Sequence, residues 1–147
     1  MTLFNALEFA QLRSIDDEPR FFSLMGRFFA SAHVRRECGG YPLNDGPLYR
    51  WFVAYMKADA RVLGFISIDP ATDVVRIREG YVRPEVRGRG IFRELRGQTL
   101  AYIDGLGLAS STRVPQEYAP FWEPHGFQVQ STRGSWTLLK RLAHAQC

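Results

Sequence analysis

The stretch Val82-Arg83-Pro84-Glu85-Val86-Arg87-Gly88-Arg89-Gly90-Ile91 carries most of the information about the fold. β-Branched residues precede it and an amphipathic pattern follows it, which predicts a strand entering a helix through a glycine-rich turn. The first N–H groups of such a helix lack partners within the helix, and the helix dipole adds partial positive charge there. Gly88 and Gly90 have no side chains, so a diphosphate can approach the backbone closely. The turn therefore predicts an anion site, although Gly-x-Gly alone also fits a plain tight turn.

The segments around this turn predict one α/β domain spanning residues 1–147. Strands are expected at 3–15, 49–56, 62–68, 74–83, 106–114, 127–131 and 135–140. The segments 49–56, 62–68 and 74–83 are separated by short polar breaks, and this indicates an antiparallel meander. The last two strands are expected to form a hairpin.

Three helical segments complete the predicted order. Asp16-Asp17-Glu18-Pro19 has the acidic residues and early proline of a helix start. The apolar stripe expected to pack into the core after it comprises Phe21, Phe22, Met25, Phe28, Phe29 and Ala32. A second helix is expected from Gly90 to a stop at Gly105, with an apolar side formed by Ile91, Phe92, Leu95, Thr99, Tyr102 and Ile103. A short third helix is expected at 116–123.

Composition excludes several classes of protein. The chain has 147 residues, of which 46% are hydrophobic and 23% charged, as is ordinary for a soluble globular domain. No apolar run approaches the ~20 residues of a membrane-spanning helix, and Met1–Asn5 lacks the pattern of a secretion signal. Cys38 and Cys147 are far apart, which predicts neither a disulfide framework nor a zinc site. We therefore expect a cytoplasmic protein with no metal and no membrane partner.

The charge distribution points to an anionic partner. The formal net charge is +4, and only Lys57 and Lys140 among the 19 basic residues are lysines. Arginine binds phosphate and carboxylate groups in a planar, bidentate fashion. Seven arginines lie between Arg76 and Arg96, so a nucleotide-like cofactor, an acidic substrate or nucleic acid is the expected partner. Any single one of these arginines also fits a solvated surface.

Two motifs resemble a known family. The run Val82-x-Pro84-Glu85-x-Arg87-Gly88-x-Gly90-Ile91 resembles motif A of the GNAT superfamily of N-acetyltransferases, and the segment Phe121–Phe127 is similar to its motif B. The resemblance covers the chain from about Tyr49 onward. It implies a GNAT-like mixed, mostly antiparallel sheet, splayed after the fourth strand and flanked by helices. It also implies that acetyl-CoA is the acyl donor and that the acyl group passes directly to a bound amine.

The resemblance further implies which residues hold acetyl-CoA. The pantetheine arm would lie against the backbone of Tyr81, Val82 and Arg83. The pyrophosphate would be held by the N–H groups of Arg87, Gly88, Arg89, Gly90, Ile91 and Phe92. Two residues depart from the pattern, because Phe92 replaces a small residue of motif A and Trp122 replaces a tyrosine that protonates the leaving thiolate. An indole N–H is a poor acid, so Trp122 cannot perform that step.

Two other side chains are candidates for proton transfer. Tyr118 lies one helical turn before Trp122, which predicts a shared face and makes Tyr118 the candidate acid. A half-buried tyrosine packed against the sheet fits the same position. Glu79 is the only carboxylate within the strand at 74–83, and the resemblance implies a base there that accepts the amine proton through water. A cross-strand ion pair with a neighbouring arginine is the alternative for Glu79.

The sequence leaves three functions open. The first is acetylation of an amine on a small molecule or protein. The second is a GNAT-fold protein that modifies a nucleic acid base or an aminoacyl-tRNA, and the third is a relative that binds CoA without catalysis, which Trp122 favours. The predicted acceptor pocket contains Arg35, Arg36, Glu37, Tyr41 and Trp136 but does not identify the acceptor. A homodimer also stays open, since the apolar residues of the last hairpin fit an interface or core.

Overall fold

A computed structural model describes residues 3–39 and 43–143, so Tyr41 and Cys147 lie outside the described residues. The strands are β1 (Leu7–Leu12), β2 (Arg50–Met56), β3 (Val62–Asp69), β4 (Val74–Val82), β5 (Ala109–Pro115), β6 (Phe127–Arg133) and β7 (Trp136–Arg141). The helices are α1 (Glu18–Ala30), α2 (Ala32–Glu37) and α3 (Ile91–Leu106). Short 3-10 helices cover Leu3–Ala6, Pro84–Val86, Gln116–Phe121 and Glu123–His125.

The strands form one sheet in the order β1-β2-β3-β4-β5-β7-β6. Every neighbouring pair is antiparallel except β4 and β5, which are parallel. Within the described chain, the β4–β5 ladder runs only from the pair Val74–Ala109 to the pair Ile77–Thr112. Beyond that point the two strands separate. The mixed, mostly antiparallel sheet with a splay at the fourth strand is therefore confirmed.

Helices cover both faces of the central strands. In β2, alternate side chains enter two different cores, with Phe52 packing in the cluster that includes α3 and Trp51 in the cluster that includes α1. Leu95 and Ile103 supply the α3 side of the first core. Because β2 and β3 are covered on both faces, the strands read as continuous hydrophobic runs. No helix in the described part of the chain is long and apolar enough to cross a membrane.

The start of α1 agrees with its sequence signals, whereas its predicted apolar stripe needs correction. Asp17 caps the helix by accepting a hydrogen bond from the Arg20 N–H. Phe22 is exposed, in contrast to the prediction that the whole stripe packs into the core. Ala32 belongs to α2, because Ser31 takes an extended conformation that ends α1 and then caps α2 through its hydroxyl oxygen.

The end of α3 and the segment after β5 also differ from prediction. The predicted stop at Gly105 is wrong, since the helix continues to Leu106 and ends at Gly107, which has φ 70°. A left-handed residue is what ends the helix, and Gly105 stays helical. The expected third helix is a 3-10 helix containing Pro120 and is followed by another 3-10 turn at Glu123–His125. In the last hairpin, β7 rather than β6 pairs with β5.

Candidate functional site

A cleft of about 520 Å³ opens where β4 and β5 separate. Its walls are the ends of these two strands, the first turns of α3, the 3-10 helix at Gln116–Phe121 and the end of α2. The structure brings together six of the predicted site residues in its lining, namely Glu79, Tyr81, Val82, Arg87, Phe92 and Tyr118. Of the others, Gly88, Arg89, Gly90 and Ile91 connect Arg87 to Phe92, whereas Arg83 follows the end of β4. The predicted residues therefore gather along one cleft and its edge.

The backbone of β4 presents alternate residues to the cleft. The Arg83 N–H donates to the Leu63 carbonyl oxygen at 2.8 Å and so faces β3. In an antiparallel ladder, alternate residues direct their polar backbone groups to opposite sides. Gly80 and Val82 therefore face away from β3, on the side where β5 has separated. The Val82 carbonyl oxygen already accepts a hydrogen bond from Arg87 Nε at 2.7 Å, and the Gly80 carbonyl oxygen lies 4.0 Å from Cys38 Sγ. The N–H groups of Gly80 and Val82 are left for a ligand.

The glycine-rich turn has the backbone geometry that its residues predict. Gly88 and Gly90 have φ values of 78° and 88°, in the left-handed region that favours glycine. Gly90 is the N-cap of α3, and no side chain caps the first turn. The Arg87 N–H donates to the Pro84 carbonyl oxygen at 3.3 Å. The amides suited to bind an anion thus begin at Gly88 rather than at Arg87.

The side chains of two of the predicted arginines, Arg83 and Arg87, make contacts at the end of β4. Arg87 forms an ion pair with Glu37 of α2, and its guanidinium lies 5.4 Å from the centre of the Tyr81 ring. Arg83 donates through Nε to the Val62 carbonyl oxygen at 2.7 Å, and burial lowers its pKa. Arg89 is exposed. Among these three side chains, Arg89 alone makes no hydrogen bond or ion pair within the described residues, which leaves its charge available to a ligand.

Phe92 fits against a glycine of β4. A Cβ atom on Gly80 would lie 2.8 Å from Phe92 Cε2, so the absence of a side chain at residue 80 makes room for the ring. The Phe92 ring also meets Trp122 edge to face, with the ring centroids 6.1 Å apart. Sequence reasoning missed Gly80. The available signal was an isolated glycine inside a strand, which indicates a bulge or a close approach.

Trp122 belongs to the core. Its exposure is 6%, and its ring packs edge to face on Phe127 at 5.3 Å between centroids. The Arg96 guanidinium lies 5.8 Å from the Trp122 ring and donates to the Phe121 carbonyl oxygen at 3.0 Å. Packing therefore accounts for the tryptophan at this position.

Glu79 lies at a β-bulge. Ile66 pairs with Gly80 whereas Ile68 pairs with Ile77, so Arg78 and Glu79 together oppose the single residue between these two isoleucines. Arg78 Nη1 lies 3.2 Å from Glu79 Oε2, so Glu79 forms the alternative ion pair with a neighbouring arginine, although the two are chain neighbours rather than cross-strand partners. Burial raises the pKa of Glu79, while the positive charge of Arg78 opposes that shift.

Arg78 is itself held in place by β3 and the preceding loop. It donates hydrogen bonds to Ser67 Oγ and to Asn44, and its guanidinium lies 4.2 Å from the centre of the Tyr49 ring. These contacts fix the guanidinium group that flanks Glu79. The carboxyl group is therefore positioned by a rigid neighbour.

Tyr118 lines the cleft but does not share a face with Trp122. It is 48% exposed, and its ring lies 6.1 Å from that of Phe121, three residues later. The predicted shared face is wrong because a 3-10 helix has three residues per turn, so residues i and i+3 align. Tyr118 and Glu79 nevertheless line the same cleft.

The end of α2 contributes Cys38 and Gly39 to the cleft. Cys38 Sγ lies 4.0 Å from the Gly80 carbonyl oxygen. Burial, together with the charges of Glu79 and Glu37, raises the pKa of Cys38 to about 12, so the group is a thiol at neutral pH. A Cβ atom on Gly39 would lie 3.1 Å from Trp136 Cη2, so the backbone that follows α2 approaches the Trp136 ring of β7 closely. Glu37 and Trp136 of the predicted acceptor pocket line the cleft, whereas Arg35 and Arg36 do not.

Comparison with known proteins agrees with this arrangement. Residues 9–127 match the model of the acetyltransferase (GNAT) family. No curated protein matches the chain. Among solved structures, an acyl-CoA N-acyltransferase of Pseudomonas aeruginosa superposes with a TM-score of 0.71 at 16% identity, over 92% of this chain and 99% of that one.

Two further solved structures share the fold and hold ligands. The PaiA N-acetyltransferase of Thermoplasma acidophilum, in complex with coenzyme A, gives a TM-score of 0.62 at 16% identity, over 92% of this chain and 98% of that one. Arabidopsis thaliana NAA60, in complex with a bisubstrate analogue, gives 0.67 at 14% identity, over 95% of this chain and 99% of that one. At these identities the likeness concerns the fold.

Proposed function

Because the chain belongs to the acetyltransferase (GNAT) family, we propose that it transfers an acetyl group from acetyl-CoA directly to an amine of a small molecule or protein. The observation that carries the proposal is a single cleft, with a glycine-rich helix start at its edge and Glu79 and Tyr118 in its lining. The solved relatives with coenzyme A and with a bisubstrate analogue support the choice of donor and the direct transfer.

The cleft suits acetyl-CoA in two ways. The N–H groups from Gly88 to Phe92 lie at an uncapped helix start, where a diphosphate is favoured. The Gly80 and Val82 N–H groups would donate to amide carbonyl groups of the pantetheine arm, since they face the gap beside β5. When bound, acetyl-CoA supplies an activated thioester. The protein then has to position the amine and move two protons.

Glu79 is the proposed base. A protonated amine must lose a proton before it can attack, and Glu79 would accept that proton on its carboxylate, directly or through one water molecule. Burial raises the pKa of Glu79, which makes the carboxylate a stronger base. Arg78, held by Asn44 and Tyr49, keeps the carboxyl group in place and limits how far its pKa rises.

Tyr118 is the proposed acid. Its phenolic O–H would donate a proton to the departing sulfur of CoA, and the phenolate would regain a proton from the acylated nitrogen. The tryptophan at residue 122 favoured a non-catalytic relative, but its packing against Phe92 and Phe127 explains its presence. Tyr118 lines the same cleft and can supply the proton instead. Cys38, as a thiol with a pKa of about 12, is a poor nucleophile. Direct transfer without an acyl-cysteine is therefore favoured.

An assay of acetyl transfer tests the proposal. The purified protein is incubated with acetyl-CoA and a panel of amines, and both free CoA thiol and N-acetylated products are quantified by mass spectrometry. We expect thiol release that depends on an amine and equals product formation. Tyr118→Phe should lower kcat at least tenfold with acetyl-CoA affinity unchanged, whereas Tyr102→Phe, a tyrosine of α3 outside the cleft, should have no effect. Tight acetyl-CoA binding without product from any amine would instead indicate a non-catalytic binder.

A further inference from the structure

Four guanidinium groups line the cleft, and they differ in their contacts with oxygen atoms of the protein. Three of them contact protein oxygen atoms, namely Arg78 with Glu79 and Asn44, Arg87 with Glu37 and the Val82 carbonyl, and Arg96 with the Phe121 carbonyl. The fourth, Arg113, makes no hydrogen bond or ion pair with any residue in the described part of the chain. The Arg113 side chain is exposed at the cleft, so its charge is available to an anionic ligand.

The wall that carries Arg113 has no carboxylate. The strands β5, β6 and β7 contain no aspartate or glutamate within their described residues. In the β5–β7 register Arg113 pairs with Leu138, and two residues away Ser111 pairs with Lys140, so Arg113 and Lys140 lie on the same face of the sheet. The positive charge of this wall is therefore not compensated by the neighbouring strands.

Arg113 also lies at the reacting end of the cleft. The β4–β5 ladder ends at the pair Ile77–Thr112, so Arg113 is the first residue of β5 beyond the separation. Arg113 and Glu79 both line the cleft at this point. An amine that delivers its proton to Glu79 therefore has the rest of its structure within reach of the Arg113 side chain.

We propose that Arg113 binds an anionic group of the acceptor, so that the substrate is an amine that also carries a carboxylate or a phosphate. This inference rests on the acetyltransferase activity proposed above. A guanidinium group binds either anion in a planar, bidentate way. Acceptors with a second positive charge are disfavoured by the unpaired charge of Arg113. The donor's phosphates have their own site at the helix start, which leaves Arg113 for the acceptor.

Steady-state kinetics with matched amines tests the inference. One pair compares a straight-chain ω-amino acid, which carries a carboxylate, with its neutral amide. The other pair compares phosphoethanolamine, which carries a phosphate, with ethanolamine. A diamine serves as an acceptor with a second positive charge. We expect kcat/KM to be about tenfold higher or more for the anion-bearing amines, since a hydrogen bond to a charged group contributes about 1.5–3 kcal/mol and 1.4 kcal/mol is tenfold. Comparison of the carboxylate pair with the phosphate pair identifies the preferred anion. Amino acids of different chain lengths then give the preferred distance between the anion and the amine.

Substitutions of Arg113 test whether this residue causes the preference for anion-bearing amines. Arg113→Gln should raise KM for the anionic amines about tenfold without changing KM for acetyl-CoA. Arg113→Lys, which keeps the positive charge, should give a smaller increase in KM for the anionic amines. Arg113→Glu should shift the substrate preference toward the diamine. Arg133→Gln, an exposed arginine of β6 outside the cleft lining, is the matched control and should change nothing. Equal turnover of amide and acid, or an unchanged ratio in Arg113→Gln, would overturn the inference while the acetyltransferase activity stands. Acetyl-CoA binding with no amine acetylated would reject that activity, and the inference with it.

Discussion

One extra residue in β4 places a carboxyl group and a guanidinium group side by side. Without the bulge opposite Ser67, Arg78 and Glu79 would point to opposite faces of the sheet. With it, their charged ends lie 3.2 Å apart at the cleft. Burial raises the pKa of Glu79 and the nearby guanidinium lowers it, with burial the larger effect. The side chain is therefore a stronger base than an exposed glutamate.

The pH dependence of catalysis follows from this balance. The proposed base Glu79 would act in its ionised form, so kcat/KM should fall as the pH drops through its pKa, at a pH above the ordinary glutamate value. Glu79→Gln should lower kcat by about 10²-fold or more and remove this acidic limb. The measurement is the pH profile of kcat/KM for both proteins. Glu117→Gln, an exposed carboxyl outside the cleft lining, is the control, and an acidic limb that persists in Glu79→Gln would contradict the assignment.

Substitutions of Gly80 and Phe92 should have non-additive effects on the free energy of unfolding. Gly80→Ala places a methyl group 2.8 Å from the Phe92 ring and should lower the free energy of unfolding by about 1–2 kcal/mol. In a Phe92→Ala background the same change should be neutral or stabilising, since alanine is favoured over glycine in a strand by about 0.5–1 kcal/mol. Urea unfolding of the four proteins gives the coupling. Gly97→Ala, where an added Cβ meets nothing within 4 Å, should be additive with Phe92→Ala. An equal cost of Gly80→Ala in both backgrounds would argue against the contact.

At the scale of elements, local signals predict most of the fold. The strands from β2 to β4 and the start of α1 are specified by runs of apolar residues, turn residues and the Asp17 cap, all of which act over a few positions. The end of α3 is different. Gly105 and Gly107 are equally good stop signals in sequence, and the choice depends on which one takes the left-handed conformation.

Alanine substitutions distinguish these two glycines. Gly105→Ala should raise the free energy of unfolding by about 0.5–1 kcal/mol, because residue 105 is helical and an added Cβ meets nothing within 4 Å. Gly107→Ala should lower it by about 1–2 kcal/mol, because residue 107 has φ 70°. Thermal or urea unfolding measures both. A stabilising Gly107→Ala together with a destabilising Gly105→Ala would mean that α3 ends at residue 105.

The parts of the candidate site that depend on consecutive residues were predictable from the sequence, and the rest were not. The turn from Arg87 to Gly90 is a local motif, so its left-handed glycines and uncapped helix start could be predicted from consecutive residues. The bulge at Glu79 and the partnership of Gly80 with Phe92 depend on strand register and on helix packing across the sheet. The position of Tyr118 depends on whether its short segment is an α-helix or a 3-10 helix, which Pro120 biases without deciding.

At the scale of the whole molecule, the cleft exists because the two arms of the sheet diverge while other contacts hold them together. Arg141 of β7 is buried, forms an ion pair with Asp104 of α3 and donates through Nε to the His125 carbonyl oxygen at 2.8 Å. On the other side, Glu37 of α2 pairs with Arg87. These contacts link β7 to the last turns of α3 and link α2 to the turn that precedes α3.

Calorimetric titration with acetyl-CoA tests the central claim most directly, namely that the cleft and the turn at Gly88–Phe92 form an acyl-CoA site. The wild type should bind saturably, with free CoA also bound and ATP bound far more weakly. Gly88→Ala should weaken acetyl-CoA binding at least tenfold, because a left-handed φ of 78° strains an alanine and moves the amides that face the diphosphate. Gly134→Ala, with φ 62° in the turn between β6 and β7, introduces comparable strain away from the cleft and should leave the affinity unchanged. No binding of acetyl-CoA at millimolar concentration, or equal losses in both variants, would contradict the account.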